Sequence, residues 1–526
     1  MDEPIRSIWT QTAHRTPADA LTGEHRADVV VVGGGVAGLS VAVRLAERGA
    51  RVILLERNRI ARGVTAGSTA KVTALHGRIY TVLHERHGAE VAAAYAEANM
   101  AGVDDVRTAV ERYGIDCAFT AAPAVTYAGS AAGAADVEAE HEAAAAAGLP
   151  VTRSDETDLP FPVRGAVVLA DQAHLDPVRY CQGLADALPA DAIFEGTTVV
   201  DVEEDRGGCR AITTHGNVRA DHAVIATQGP IVDPRYLTAR CRPERSYALA
   251  APIDAARPGS GNELAPTGMY LSVDAPTRSV RPATVDGTRY LIVGGEGHPV
   301  GDERDARACL DALEAWALEH LPVGAVAARW AAHDPVPSDH IPFIGRLTGR
   351  SKRWVATGFA KWGFSTSMVA ASIVADGVDG IPNSFASVFD ATRMHSTVNA
   401  ELGRSIARVA ARYGGDQVRV RSPGHRWPDG SIAPGDGRVL RTREGPAAVY
   451  RDEANALHAV SATCTHQGCL VRFNRAQTSW DCPCHGSRFD PDGHVLCGPA
   501  VEDLAPVPLD RDPDEGHGDV AEEGGR

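Results

Sequence analysis

The sequence has 526 residues, of which 44% are hydrophobic and 23% are charged, a composition that is ordinary for a globular protein. Its length suggests about three domain-sized units. A net charge of −16 without a basic cluster argues against nucleic acid and anionic membranes as partners. Neither a secretory signal nor an apolar run of about eighteen residues is visible. We therefore expect a cytoplasmic protein with no transmembrane segment.

The first motif along the chain is a glycine-rich turn between an apolar strand and a helical pattern. Residues 29–32 are all valine, which is typical of a buried parallel strand, and they lead directly into G-x-G-x-x-G. In such a turn Gly33 would allow the bend, Gly35 would let the backbone approach a pyrophosphate, and Gly38 would let helix and strand pack closely. A second strand ends in Glu56, whose carboxylate would accept from a ribose hydroxyl. The pattern predicts a dinucleotide site and leaves FAD and NAD open.

Three later stretches favour FAD. Residues 66–73 are small and polar and predict a loop, while residues 220–229 predict a buried strand that enters a turn of small residues. Residues 355–364 predict a strand and a glycine-bearing turn ahead of a helix over about residues 366–376. Together with the glycine-rich turn, they resemble the FAD-dependent oxidoreductases of the D-amino-acid oxidase type. The resemblance covers residues 25–395 and implies an α/β, Rossmann-like FAD-binding module.

The same resemblance implies further flavin contacts and an inserted domain. The loop of residues 66–73 (the first loop) would place Thr69 beside the flavin. The turn within residues 355–364 (the late turn) would place Gly358 and Gly363 there as well. A mixed-sheet substrate domain of about residues 80–165 and 235–330 would be inserted within the module. The activity implied is that of an FAD-dependent oxidoreductase, with a C–N bond as the candidate bond to be oxidised.

The late turn departs from the family pattern. It carries Lys361 and Trp362 where family oxidases usually end the turn in glycine or histidine. A lysine near the ring could tune the flavin; alternatively, Trp362 packs at a domain interface and Lys361 is solvated. His76, just past the first loop, is a candidate flavin contact or acid/base, although a lone histidine is more often structural. These three residues are the candidates for catalysis, and the sequence assigns the catalytic role to none of them.

Two short loops near the C-terminus form the most specific pattern. The first is Cys464-Thr465-His466 and the second is Cys482-Pro483-Cys484-His485. Two cysteines and two histidines can hold a dinuclear iron–sulfur cluster, with thiolates on one iron and imidazoles on the other. Zinc would accept the same set. Zinc motifs usually pair cysteine with cysteine, however, whereas each loop here contributes one residue of each type.

These loops resemble the Rieske [2Fe–2S] domain, over residues 423–510. The resemblance implies that two cysteines ligate one iron, that two histidines ligate the other, and that two further cysteines form a disulfide between the loops. The first iron would be ligated by Cys464 and Cys482, and the second by His466 and His485. The disulfide would join Cys469 and Cys484. A disulfide is unusual for a cytoplasmic protein.

Two neighbouring residues bear on the reduction potential. Ser487 matches the family position whose hydroxyl bonds a cluster sulfur and raises the potential. Phe489 stands where high-potential members carry tyrosine, so one hydrogen bond is missing. We expect a potential below the top of the range of about −150 to +300 mV.

The remaining segments complete the expected domain organisation. Residues 396–422 predict a linker, and residues 511–526 are acidic and without apolar periodicity, which predicts a disordered tail. The alanine-rich residues 135–147 predict a solvated helix, with Glu140 among its polar positions.

We therefore expect an oxidoreductase that passes electrons between a small-molecule substrate, FAD and a [2Fe–2S] cluster. Its outside partner would be an electron acceptor or donor, either a protein or a quinone, and electrons could flow in either direction. Two alternatives stay open. One is a non-catalytic electron carrier or redox sensor, and the other is an oxygen-using flavin oxidase with a structural Rieske domain.

Overall fold

The computed structural model describes residues 7–11, 15–254, 265–300, 304–394, 403, 407, 432–442 and 445–508. The linker expected at residues 396–422 lies outside the described residues, apart from Gly403 and Ala407. The tail expected at residues 511–526 lies outside them as well. All the predicted cofactor-site residues are described.

A mostly parallel eight-stranded sheet forms the centre of the first module. Its strands are β1 (Gly23–Val32), β2 (Val52–Leu55), β7 (Ile193–Phe194), β8 (Val199–Asp205), β9 (Gly208–Thr213), β10 (Gly216–Ile225), β16 (Phe343–Arg346) and β17 (Arg353–Thr357). The order across the sheet is β16–β17–β10–β1–β2–β7, and β9 joins β10 with β8 beyond it. Because β1 runs parallel to both β2 and β10, the loops that follow these three strands lie at one edge of the sheet.

The valine run at the end of β1 is buried on both faces. Val29 and Val31 pack into one hydrophobic core, and Val30 and Val32 pack into a second core across the sheet. Consecutive side chains of a strand point to opposite faces. A strand that is covered on both sides is therefore continuously apolar, as the sequence indicated.

Nine α-helices lie among the described residues, and most of them cover this sheet or the next. They are α1 (Val36–Glu47), α2 (Gly63–Ala66), α3 (Ile79–His87), α4 (Ala89–Tyr113), α5 (Ala131–Ala146), α6 (Pro177–Asp186), α7 (Ala306–His320), α8 (Gly363–Asp379) and α9 (Ala386–Phe389). Short 3-10 helices span Ile8–Gln11 and Thr238–Arg240. Helix α8, which follows the late turn, packs against both α1 and α4.

A nine-stranded mixed sheet forms the second layer. Its strands are β3 (Lys71–Val72), β4 (Thr120–Ala128), β5 (Val151–Ser154), β6 (Gly165–His174), β11 (Cys241–Pro252), β12 (Met269–Ser272), β13 (Arg278–Val285), β14 (Thr288–Pro299) and β15 (Ala328–Pro337). The order is β15–β11–β14–β13–β12–β4–β6–β3, with β5 beside β6. The pair β12–β4 is parallel and its neighbours are antiparallel, which confirms the expected mixed sheet.

Two small antiparallel sheets form the C-terminal module. One contains β18 (Gly437–Thr442), β19 (Gly445–Arg451) and β20 (Leu457–Ser461); the other contains β21 (Arg472–Asn474), β22 (Ser479–Asp481), β23 (Arg488–Phe489) and β24 (Val495–Cys497). Their shared core includes Trp480 and Phe489, both fully buried. This module is all-β, as expected.

The prediction of a solvated Glu140 is wrong. Helix α5 forms where expected, but the Glu140 side chain is fully buried. Its carboxylate accepts from the backbone N–H groups of Tyr80 (3.0 Å) and Thr81 (2.9 Å), which lie in the first turn of α3. The carboxylate thus caps a helix whose first N–H groups have no partner within the helix. Burial raises the pKa of Glu140 to about 7.

Candidate functional site

A cavity of about 1150 Å³ is lined by residues of both sheets in the first module. It extends from the glycine-rich turn after β1 to the late turn before α8. Most of the residues predicted to meet the flavin line it, together with all three candidate catalytic residues. These are Gly33, Gly35, Glu56, Thr69, His76, Gly358, Lys361, Trp362 and Gly363.

The glycines of the first turn are required by close approaches. At Gly33 the φ angle is 110°, and a Cβ would lie 2.6 Å from the carbonyl oxygen of Ala226. A Cβ at Gly38 would lie 1.9 Å from the Gly33 oxygen, so only glycine lets α1 pack this closely. Gly35 is the N-cap of α1 and faces the cavity. The backbone N–H groups at this helix start fit a pyrophosphate.

Glu56 lies at the end of β2, beside the same turn. Its carboxylate accepts from the N–H groups of Gly34 (2.7 Å) and Asn58 (2.9 Å). Burial nevertheless raises the pKa of Glu56, against the effect of these two donors. Glu56 therefore lines the cavity beside the glycine-rich turn, and its bond to a ribose hydroxyl stays a prediction.

The late turn is conformationally constrained. Ala360 and Lys361 have positive φ angles of 48° and 78°, which non-glycine residues rarely adopt. The Lys361 ammonium lies 3.1 Å from a carboxylate oxygen of Glu244 on β11. Burial opposes ionisation of Glu244, but Lys361 and Arg242 hold its pKa below the usual value. Lys361 is therefore tied to the second sheet at the cavity edge.

Trp362 and His76 stack on each other, with ring centroids 4.4 Å apart and an interplanar angle of 13°. Both His76 ring nitrogens are occupied, one by the Tyr95 hydroxyl (2.8 Å) and one by the Thr73 carbonyl oxygen (2.7 Å). Burial lowers the pKa of His76 to about 3. This neutral, fully bonded imidazole supports Trp362, and the geometry gives it no free nitrogen for proton transfer.

Two charged residues that line the cavity, Lys71 and Asp334, were not predicted as site residues from the sequence. Lys71 begins β3, two residues after Thr69, and Asp334 lies on β15 directly opposite Glu244. Burial raises the pKa of Asp334 to about 6, although Lys361 acts in the opposite direction. A lone lysine in a loop of small residues was a signal for Lys71. No local pattern marks Asp334, because its neighbours come from distant segments.

The predicted cluster ligands converge in the C-terminal module. Cys464 and Cys482 are buried, and the hydrogen bond between their thiols lowers the pKa of Cys464 to about 7. The rings of His466 and His485 lie 5.0 Å apart. Within the described part of the chain, their buried Nδ1 atoms have no hydrogen-bond partner. Two adjacent sulfurs and two unpartnered imidazole nitrogens fit a [2Fe–2S] cluster, which would be held by these four residues.

The two loops are joined and supported as the resemblance implied. Cys469 and Cys484 form a disulfide between them. The Ser487 hydroxyl helps to lower the pKa of the Cys464 thiol, after the larger effect of Cys482, and it accepts from the Ala500 N–H at 3.0 Å. Ser487 thus lies beside the Cys464 sulfur, while its bond to a cluster sulfur stays a prediction. Phe489 is fully buried and has no hydroxyl to offer.

The C-terminal module docks onto the first module. Arg245 on β11 forms a buried ion pair with Asp481, the residue before Cys482. The Cys497 thiol donates to the Gln228 side-chain oxygen at 3.0 Å. Arg57, which follows Glu56, donates to the carbonyl oxygen of Ala500 at 3.2 Å. These contacts join the cluster loops to the walls of the large cavity.

A small cavity of about 30 Å³ lies at this junction. The cluster histidine His485 lines it from one side. Four residues of the first module line both this cavity and the large one: Gln228, Asp334, Pro335 and Thr357. A single layer of residues therefore separates the predicted flavin site from a predicted cluster ligand.

Comparison with known proteins agrees with this two-part architecture. Residues 28–377 match the family model of FAD-dependent oxidoreductases (DAO), and residues 428–508 match that of the Rieske [2Fe-2S] domain. The Rieske 2Fe-2S iron-sulfur protein YhfW of Bacillus subtilis (strain 168) is 32% identical over 520 residues, which cover 97% of this chain and 98% of YhfW.

The fold of the first module is also found in solved structures. Glycine oxidase from Geobacillus kaustophilus superposes with a TM-score of 0.56 at 20% identity, covering 71% of this chain and 100% of its own. L-proline dehydrogenase from P. horikoshii superposes with a TM-score of 0.56 at 18% identity, and the match covers 72% of this chain and 98% of the dehydrogenase.

The chain belongs to the DAO family of FAD-dependent oxidoreductases and carries a C-terminal Rieske domain. It is an enzyme whose first module binds FAD and whose second binds a [2Fe–2S] cluster, and it passes electrons between a small-molecule substrate and these two groups. Among the described residues, no helix has both the length and the apolar character needed to cross a bilayer.

Proposed function

We propose that this enzyme oxidises a C–N bond of a small amine or amino acid and sends the electrons through its own cluster to an outside acceptor, a redox protein or a quinone. When bound, FAD supplies two-electron chemistry and the cluster supplies one-electron transfer. The observation that carries the proposal is the single layer of residues between the large cavity and His485.

The residues predicted from the sequence form two groups, one proposed to bind FAD and one proposed to ligate the irons. We assign the ADP end of FAD to Gly33, Gly35, Gly38 and Glu56, and the flavin end to Thr69, Gly358 and Gly363. Their positions on the cavity wall, with Gly38 packed behind it, support this assignment. The irons are assigned to Cys464, His466, Cys482 and His485, supported by the adjacent thiols and unpartnered imidazoles.

The proposed domain boundaries follow from the same assignment. The flavin module would span residues 25–395 and the Rieske module residues 423–510. Strands of the second sheet continue to His174 and Pro337, beyond the substrate segments expected at 80–165 and 235–330. We therefore propose that the substrate domain includes all of β6 and β15.

The substrate class rests on the fold relatives and on the cavity. Glycine oxidase and L-proline dehydrogenase are named for amino-acid substrates, and both share this fold. The cavity carries two carboxylates on neighbouring strands, Glu244 and Asp334, and Asp334 also lines the small cavity beside His485. Glu244 is already paired with Lys361 and Arg242, whereas Asp334 has no ion pair among the described residues, and such a carboxylate favours a substrate that carries an amine.

The test is an anaerobic reductive titration followed by a substrate screen. Full reduction should consume about three electrons per chain, two at the flavin and one at the cluster. Amines and amino acids are then screened anaerobically for those that bleach both chromophores. The matched control is the C464S/C482S double variant, in which the same substrate should bleach the flavin alone.

Other results would point to the alternatives. Absence of FAD in gently purified protein would contradict the proposal and favour an electron carrier or sensor. Rapid oxygen-dependent turnover that is unaffected in the C464S/C482S variant would favour an oxidase with a structural Rieske module. A substrate that bleaches the flavin but never the cluster in the intact protein would also contradict it.

A further inference from the structure

Lys71 is a buried lysine on the wall of the flavin cavity. Its side chain is only 8% exposed, and its ammonium donates to the backbone oxygen of Tyr270 and to the Ser279 hydroxyl, the latter at 2.7 Å. These two partners come from strands β12 and β13 of the second sheet. Because an ammonium has three N–H donors, one is left over, and Lys71 lines the large cavity.

The surroundings of Lys71 carry more positive than negative charge. Arg281 is 1% exposed and donates to the carbonyl oxygens of Thr69 and Leu175 and to His174 Nδ1. The carboxylate that acts on this arginine is Asp176, which caps helix α6 by accepting from the N–H groups of Val178 and Arg179. Within the described residues, Lys71 has no ion pair with a carboxylate.

An unpaired buried ammonium is unfavourable, and this one shows the expected effect. Burial lowers the pKa of Lys71 to about 7, with a further contribution from Arg281. Burial likewise lowers the pKa of His174 to about 2, so the histidine is neutral. Buried charges in proteins are normally paired, which means that this site lacks an anionic partner.

We propose that the missing anionic partner is the reduced flavin, and that Lys71 is the positioning cation of the flavin site. Reduction by hydride transfer brings two electrons and one proton, and therefore leaves one negative charge on the bound flavin. The ammonium of Lys71, fixed by Tyr270 and Ser279, offsets this charge from the cavity wall. The inference rests on the proposed function, since it requires FAD in this cavity.

Lys361 is the other lysine among the residues that line the cavity. Its ammonium already has a carboxylate partner, Glu244 at 3.1 Å, and its side chain is 37% exposed. A paired and hydrated charge acts weakly at a distance. Lys71 is unpaired and shielded from water, so its charge reaches the flavin site with less screening.

The experiment compares K71Q with K361Q in the full-length protein. Glutamine at position 71 keeps N–H donors for Tyr270 and Ser279 but removes the charge. The probe is sulfite, which adds to oxidised flavin and places a negative charge on it. We expect K71Q to bind sulfite about tenfold or more weakly than wild type, equivalent to about 1.4 kcal/mol. The midpoint potential of the flavin should also be lower in K71Q than in wild type.

The controls separate charge from structure. K71R should restore sulfite affinity most of the way to wild type, K361Q should weaken sulfite binding less than K71Q does, and the cluster potential should be the same in all variants. K71Q that retains FAD and binds sulfite as wild type does would overturn the assignment. A loss in K361Q that equals or exceeds the loss in K71Q would overturn it as well.

A second measurement covers a variant that purifies without FAD. Apo-K71Q is then titrated with oxidised and with reduced FAD. If K71Q weakens the binding of reduced FAD more than that of oxidised FAD, the assignment is supported. Equal weakening of the binding of both forms overturns it. Wild-type protein that takes up no FAD would contradict the proposed function itself, whereas FAD-loaded K71Q with unchanged sulfite affinity contradicts only the role of Lys71.

Discussion

Arg245 and Asp481 form an ion pair in which both side chains are less than one-tenth exposed, although they lie 236 residues apart in the chain. Arg245 belongs to the flavin module, and Asp481 immediately precedes the cluster ligand Cys482. Asp481 also accepts from Arg488 of its own module, and Arg245 donates to His333 at 2.7 Å. This buried network fixes the orientation of the cluster loops relative to the flavin cavity.

Replacing Arg245 with methionine should loosen this docking. Breaking a buried pair leaves an uncompensated charge, which typically costs about 3–5 kcal/mol. We expect R245M to lower the denaturation midpoint, to increase proteolysis between the modules and to slow electron transfer between flavin and cluster. The matched control is R219M, because Arg219 pairs with Asp205 at an exposed site, where water screens the two charges and the pair adds little to stability. Equal behaviour of R245M and R219M would show that the pair does not anchor the modules.

Replacing Gly35 with valine should abolish FAD retention and leave the cluster intact. A Cβ at this position would lie 3.2 Å from the Thr65 hydroxyl oxygen. The two methyl groups of valine would fill the part of the cavity where the backbone must approach the pyrophosphate. FAD content and the visible spectrum of the cluster give the two readouts. G349V is the control, because a side chain at Gly349 meets nothing within 4 Å. Loss of both cofactors in G35V would contradict the picture of two separate cofactor sites.

The sequence was sufficient where chemistry restricts residue identity. The turn at Gly33 and Gly38 must be glycine because backbone atoms occupy the space of a side chain, and Cys464 with His466 is a rare ligand pair. It was insufficient for contacts between distant segments. The pairing of Arg245 with Asp481 depends on how two modules dock, and no local pattern carries that information.

Two side chains illustrate the same limit within one module. Glu140 has the sequence surroundings of an exposed helical residue, and it is buried only because α5 lies against the start of α3. Asp334 becomes part of the candidate site because β15 pairs with β11, which brings it opposite Glu244. Alternation along each strand was readable from the sequence, but the register between strands was not.

Replacing His466 with cysteine should keep a cluster but lower its reduction potential. Four-thiolate clusters have potentials of about −400 mV, well below the Rieske range, because thiolates place more negative charge on the irons. An EPR-monitored redox titration measures the change. His458, which bonds to Asp492 on the module surface, provides the control variant H458Q. An unchanged potential in H466C would contradict the ligand assignment.

Glu140 should make stability depend on pH near neutrality. Its folded-state pKa is raised to about 7 from the usual 4.5, so the folded protein binds this proton more tightly than the unfolded chain does. The contribution is fully present below about pH 4.5 and is lost as pH rises through about 7. Between pH 5 and 8 we expect wild type to lose on the order of 2 kcal/mol relative to E140Q. Parallel melting curves of the two proteins over this range would contradict the assignment.

We propose that flavin and cluster exchange electrons within one chain, across the layer formed by Gln228, Asp334, Pro335 and Thr357. The most direct test is pulsed reduction of the anaerobic protein by less than one electron per chain, with absorbance followed at flavin and cluster wavelengths. We expect electrons to redistribute between the two groups at a rate that is independent of protein concentration and lower in R245M. A rate proportional to protein concentration, or no redistribution at all, would contradict it.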